Sequence, residues 1–272
     1  MHVLHKDHIV DIFVWVDDCL PKPLPRSRGG RPPALTTSET VTILLFNALT
    51  APQKLLKNIW RWVQTNHSSD FRIPCYSKFV AHCHKALPAL TWLLEQTLDS
   101  GAKLRFMDST MLPVCRFIRA DRHKVAKGVA AFGKNHQGWW YGFKLHAACN
   151  TKGQLAAVFF TPANKHDAQQ MPHLVNDATR VAVGDGGYTA QVMRRKMWRE
   201  HGTFVLSPPH PKQKKKTLAR WQLTLLRARP KIECTFDYLK EHLHLVTSFP
   251  RSVQGYALHY VRTILGYQMG RV

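Results

Sequence analysis

The chain has 272 residues, 44% of them hydrophobic, and carries 39 Lys and Arg against 17 Asp and Glu, a formal net charge of +22. That length holds one sizeable core plus a smaller domain. No uninterrupted apolar run approaches the roughly 18 residues that cross a bilayer, and the six cysteines are scattered without a CxxC pair, so neither a membrane protein nor a disulfide scaffold is expected.

The charge is unevenly spread. Residues 1–100 hold 11 basic and 8 acidic side chains, whereas residues 101–272 hold 28 and 9. A field that strong repels itself unless it meets a polyanion, and nucleic acid is the usual partner. The N-terminus "MHVLHKDHIVDIF" is broken by charge and does not read as a signal peptide, so a cytoplasmic protein with reduced thiols is expected.

In chain order, residues 5–20 predict a helix with an apolar stripe at Ile9, Ile12, Phe13 and Val16. Residues 21–33, "PKPLPRSRGGRPP", hold five prolines and four basic residues and read as an exposed linker, or as a basic arm suited to a DNA minor groove. Thr36 with Glu39 forms the pattern of a capping box before an apolar helix. Two further helices over 52–66 and 76–98 complete an all-helical first part. Within them "CYSKFVAHCHK" groups cysteines and histidines, but at a spacing that fits no structural zinc pattern.

From residue 101 strands dominate. "LRFMDST" ends an apolar run on Asp108, and a basic loop over 116–134 follows. "WWYGFKLHAACN" and "QLAAVFFTPA" form a hairpin that turns at Gly153. Asp167 caps a helix over 168–178, the strand "RVAVGD" ends on Asp185, and a helix over 189–201 leads to a strand over 203–208. A last helix starts near Pro230, a residue suited to a first turn. The order β-β-β-α-β-α-β-loop-α is that of a ribonuclease H-like fold: an α/β protein of the α+β kind, with a mixed sheet flanked by helices. "GDGGY" follows the fourth strand and lacks GxGxxG spacing, which argues against a dinucleotide-binding loop.

Only nine acids lie in residues 101–272. Asp108 and Asp185 stand apart because each closes an apolar strand, where a carboxylate is costly to bury without a compensating cation. A divalent metal is the natural reason for two of them to converge. On one helix, Arg229, Glu233 and Lys240 share a face. Glu233 and Arg229 could form a plain surface ion pair, or Glu233 could be a third ligand, with Asp237 one turn beyond as a substitute. Mg²⁺ suits carboxylates plus water and phosphate oxygens. Two ions about 3.5–4 Å apart, held by Asp108, Asp185 and Glu233, would activate one oxygen and stabilise another. Gly186 and Gly187, lacking Cβ atoms, leave room for a phosphodiester beside Asp185.

At "MDSTMLPVCR", "RHKVAKGVAAFGKNHQGWWYGFKLHAACNTKGQL", "FTPANKHD", "GDGGY", "RPKIECTFDYLK" and "LTTSETVTILLF" the chain resembles the DDE transposases of bacterial insertion sequences, and among them the family numbered 982. The resemblance covers nearly the whole chain. It implies a helical DNA-binding region over 1–100, a ribonuclease H-like catalytic domain over 101–272, and Mg²⁺-dependent cleavage and strand transfer, with Mn²⁺ as a substitute. It further implies double-stranded DNA as transposon end and target, an oligomer of the chain on that DNA, and a place at the bacterial nucleoid. The triad falls on Asp108, Asp185 and Glu233. Arg229 and Lys240 match the signature Tyr-x2-Arg-x3-Glu-x6-Lys as DNA contacts, with Leu226 in the tyrosine's place, and Gly186 stands where many relatives have lysine. Arg122, Lys124, Lys127 and Lys134, with Lys214, Lys215 and Lys216, are expected on the DNA-facing surface around the carboxylates. The competing expectations are a nuclease of the same fold that does not join DNA, and a catalytically silent DNA-binding regulator.

Overall fold

A computed structural model describes residues 8–21, 32–135, 138–209 and 217–271; most of the expected linker, residues 22–31, and Lys214, Lys215 and Lys216 lie outside the described residues. Among the described residues the chain divides into two compact units. One contains the residues up to Thr97, Glu241–Leu245 and the chain from Phe249 onward; the other contains Leu98–Lys240 and Val246–Ser248.

The first unit is built from α1 (Ile9–Cys19), α2 (Thr37–Thr50), α3 (Leu56–Asn66), α4 (Tyr76–Lys85) and α5 (Leu87–Thr97). Thr36 accepts from the Glu39 N–H while the Glu39 carboxylate accepts from the Thr36 N–H, so the capping box read from sequence starts α2. Residues 40–48 of α2 are all buried, the mark of a helix surrounded by its neighbours. The single helix expected over 76–98 is two. Pro88 has no N–H to offer the carbonyl of His84, so the ladder breaks at Ala86 and α5 starts beyond it.

The second unit holds β1 (Leu104–Pro113), β2 (Ala131–Asn135), β3 (Gly138–Cys149), β4 (Leu155–Pro162), β5 (Val181–Val183), α6 (Gln191–His201), β6 (Phe204–Leu206), α7 (Arg220–Ala228) and α8 (Pro230–Asp237). Its mixed sheet runs β2-β3-β1-β5-β6, with β4 also paired to β3. β1 and β3 are antiparallel from Phe106↔Cys149 to Pro113↔Gly142, whereas β1, β5 and β6 are parallel. β3 and β4 form the expected hairpin, with Gly153 at φ 87° in its turn. Met107, Ala148, Met171, Leu174, Ala182, Tyr188 and Met197 form a core beneath the sheet. Arg105, buried on β1, gives its guanidinium to Ala102 O, Leu174 O, Ser100 O and Asn176 Oδ1, which ties the loops beneath β1 to the sheet.

Local structure departs from the sequence reading in several places. The basic loop 116–134 contains a 3₁₀ turn, Phe117–Arg122, and the strand β2. No α-helix forms over 168–178; a 3₁₀ turn spans Asp167–His173 with Pro172 inside it, and the carboxylate of Asp167 caps nothing because other side chains hold it. Tyr188 does not begin α6 but closes a 3₁₀ turn over Gly186–Tyr188 and is fully buried. The helix placed near Pro230 begins a segment earlier as α7. Arg229, itself helical, links α7 to α8, and a π-helical turn over Tyr238–His242 ends the run.

One more helix, α9 (Val253–Arg271), closes the chain, and it packs against α2 and α5 in the first unit. The expectation that everything after residue 101 forms one domain therefore needs correction for the C-terminal helix. Its residues from Tyr256 to Met269 are buried on nearly every side, so it needs helical neighbours all round, and the helical unit supplies them.

Candidate active site

Asp108 and Asp185 come together through strand register. β1 and β5 run parallel with Phe106 opposite Val183, and each aspartate lies two residues beyond that pair. Asp108 is still within β1, whereas Asp185 has left β5 and caps the turn that follows, and its negative charge is felt at Asp108. Each has a fixed oxygen: Asp108 Oδ1 accepts from the Ser109 N–H at 2.7 Å, and Asp185 Oδ1 from the Gly187 N–H at 2.9 Å.

Glu233 arrives from α8. Arg229, one turn earlier, donates Nη2 to Glu233 Oε1 and Nη1 to Asp108 Oδ2 at 3.2 Å. One guanidinium thus joins a carboxylate on β1 to a carboxylate on α8, and only 18% of its side chain is exposed. A solvated i,i+4 pair would have left Asp108 out. Burial, above all, pushes the Asp108 carboxyl up to about 6, and the negative charges of Asp185 and Glu233 push the same way; the Ser109 N–H and Arg229 pull it down. Glu233, not the exposed Asp237, is therefore the acid of α8 felt at Asp108.

A fourth carboxylate belongs to this neighbourhood, and the sequence reading passed it over as a helix cap. Asp167 Oδ1 accepts from Ser109 Oγ at 2.9 Å and from Lys144 Nζ at 3.0 Å, with His146 Nδ1 at 3.7 Å. Tyr188 is buried against this group. Among the described residues its hydroxyl has no hydrogen-bond partner, and its pKa is raised by burial and then by Asp167, Asp108 and Asp185. The place of Asp167 at the end of "FTPANKHD" was visible in the sequence. Its contact with the residue after Asp108 was not.

The two glycines of "GDGGY" do different jobs. Gly186 faces open space, which leaves one side of Asp185 accessible. A Cβ on Gly187 would sit 3.0 Å from Asp185 Oδ1 and 3.8 Å from Asp167 Oδ2, so that position lies between two carboxylates.

The donor set is all oxygen, negative and partly buried, which suits a hard divalent cation; burial, more than neighbouring charge, raises the Asp108 pKa. In this structure Arg229 supplies the positive charge. Among the described residues no three His, Cys, Asp or Glu side chains are grouped closely enough to hold a metal as they stand. Arg122, Lys124, Lys127 and Lys134 are exposed, and Lys134 lies 5.4 Å over the Trp139 ring. Among the described residues none of the four makes a hydrogen bond or ion pair with the carboxylate cluster. Lys240 falls in the π-helical turn, where the 3.6-residue period that put it on the face of Arg229 and Glu233 no longer holds.

Asp108 does not close its strand as the sequence suggested, because β1 continues in register with β3 to Pro113. A mixed sheet ordered β4-β3-β1-β5-β6, with Asp108 midway along β1, Asp185 just past β5 and Glu233 on a helix after β6, is that of a ribonuclease H-like domain. A family model described as "Transposase DDE domain" matches residues 99–253, more than half of the chain, and the chain belongs to that family. No curated protein matches it. Among the described residues no helix is long and apolar enough to cross a membrane.

Proposed function

We propose that this protein is an insertion-sequence transposase that cleaves and joins DNA, with Asp108, Asp185 and Glu233 as the ligands of its divalent metal. The observation that supports the reading is Arg229 bridging Asp108 and Glu233, with Asp185 emerging from β5, the parallel neighbour of β1, and its charge felt at Asp108. Mg²⁺ or Mn²⁺, when bound, supplies activation of an attacking oxygen and stabilisation of a leaving one.

The chain's own residues prepare that chemistry. The Ser109 and Gly187 amides orient one oxygen each of Asp108 and Asp185, and Arg229 holds the second oxygen of Asp108. Arg229 keeps Asp108 and Glu233 from repelling each other, and it must shift or share its acceptors when they take a metal. The open side at Gly186 admits the phosphodiester. Arg122, Lys124, Lys127, Lys134, Lys214, Lys215, Lys216 and Lys240 hold DNA phosphates around the site, and a strong salt dependence follows from the counterions they displace. Joining two transposon ends to one target needs more than one copy of the chain on the DNA.

The test is a cleavage assay on short duplexes carrying transposon ends, with Mg²⁺ and with Mn²⁺. Nicked and joined products from the native protein, both absent for Asp185→Asn, are expected. Nicking without joining would make the protein a nuclease of the same fold, and no cleavage with intact DNA binding would make it a regulator.

A further inference from the structure

The helical unit contains a cavity of about 410 Å³ with a buried cation on its wall and no acidic residue among those lining it. Arg262 of α9 is 2% exposed. Its Nη2 donates to Gln53 O and to His259 Nδ1 at 3.1 Å. His259 in turn meets the carbonyl of His244 through Nε2 at 3.0 Å, so Nε2 carries the ring proton and Nδ1 is the acceptor for Arg262. This ring is neutral, with its pKa pushed down to about 3 by burial. Among the described residues the Nε of Arg262 is buried with no hydrogen-bond partner.

Arg105 makes the contrast. That buried arginine spends Nε, Nη1 and Nη2 on four acceptors. Among the described residues Arg262 bonds through Nη2 alone and pairs with no carboxylate, and Lys54 and Arg251, both exposed, lie at the same cavity. Burying a charge is expensive unless it is paired, and gathering further cations around it increases the cost. An anion in the cavity removes the cost, and a planar guanidinium with free N–H groups is well matched to phosphate.

The opposite end of the cavity is the start of α9. There Ser252 Oγ accepts from the Gly255 N–H at 3.0 Å, and a 19-residue helix turns its positive end toward Arg251 and Ser252. Arg262 lies about 15 Å further along the axis at 1.5 Å per residue. Two positive ends so far apart suit a chain of successive phosphates better than one ion. Leu56, Val80 and Leu258, with Tyr76 and Phe249, also line the cavity, surfaces fit for sugar and base.

We propose that this cavity is a phosphate-binding site that seats the sugar–phosphate backbone of a DNA strand in the helical unit. The choice of DNA rests on the transposase reading; the anion site does not.

The experiment titrates the full-length protein, without divalent metal, with pyrophosphate by calorimetry and with a labelled duplex by anisotropy. Lys54→Ala combined with Arg251→Ala changes only exposed residues and keeps the fold testable; Arg262→Gln is added where its melting curve shows a folded protein. Saturable pyrophosphate binding, weakened at least tenfold in the double variant and displaced by DNA, is the expected result, with a DNA salt slope reduced by about two phosphate contacts. Absence of saturable binding, or an affinity the double variant leaves unchanged, overturns the site. Binding that the variants weaken but DNA does not displace keeps the anion site and overturns DNA as its occupant. Loss of cleavage in carboxylate variants bears on the transposase reading alone and leaves these measurements as they stand.

Discussion

Arg229 and Asp108 meet at 3.2 Å although 121 residues separate them, and the same guanidinium holds Glu233. A cation bridging two acids keeps both carboxylates in place before any metal arrives. Arg229→Gln should therefore lower cleavage by at least tenfold, because Asp108 and Glu233 lose their common anchor, and should tighten Mn²⁺ binding, because a competing positive charge is removed. Calorimetric titration of Mn²⁺ against the native and variant proteins checks it; an unchanged affinity would reduce Arg229 to a DNA contact.

Asp108 makes a prediction about stability. Its carboxyl titrates near 6, above the ordinary 3.8. Between those values the native state holds a proton that the unfolded chain has released, so this residue's effect on stability worsens as pH rises from about 4 through 6. Asp108→Asn should be more stable than the native protein at pH 7, by about 1–3 kcal/mol, and should show no gain below pH 4. Urea denaturation across that range with a chelator present measures it. Added Mg²⁺ should narrow the difference by stabilising only the native protein.

Chemistry and binding should separate at Asp185 and Lys240. Asp185→Asn keeps the side chain's shape but removes its charge, so cleavage and joining should fall together by orders of magnitude while DNA affinity survives on Lys and Arg contacts. Lys240→Ala should do the reverse, weakening the hold on the DNA end with a smaller loss of cleavage. Gel-shift and cleavage assays on the same preparations distinguish the two, and normal nicking by Asp185→Asn would end the metal-site reading.

Asp167 should act through its neighbours. With Ser109 and Lys144 both on Oδ1, Asp167→Asn should leave the protein folded but let Ser109 and the adjacent Asp108 shift. A drop in kcat of about ten- to a hundredfold with little change in DNA affinity is expected, of the size seen when supporting partners of metal ligands are removed. Equal losses in kcat and DNA affinity would place Asp167 on the DNA surface instead.

Gly184 carries a purely structural prediction. A Cβ there would lie 2.6 Å from the ring of Tyr188, which is fully buried in the core. Gly184→Ala must push that ring aside, and overpacking of this kind costs about 1–3 kcal/mol. A fall of several degrees in melting temperature is expected; an unchanged one would mean the Tyr188 pocket can yield.

Local rules carried the sequence reading where the physics is local. The capping box at Thr36 and Glu39 needs only four residues. Asp108 and Asp185 were conspicuous because a carboxylate beside an apolar run demands compensation, although β1 continues past Asp108 to Pro113, and the chain order of strands and helices pointed to the fold class. The rest depends on which distant segments meet. Asp167 reads as a cap by its neighbours in sequence, yet its carboxylate is held by Ser109, 58 residues away. Arg229 and Glu233 have the spacing of an ordinary surface pair, and only the packing of α8 beside β1 adds Asp108 to them. The C-terminal helix reads as an appendage of the domain before it, but its all-round burial belongs with α2 and α5. Charge and hydrophobic period act over a few residues, whereas a buried ion's partner can come from anywhere in the chain, so the sequence could identify the acids in need of a cation and only the tertiary structure could choose the cation.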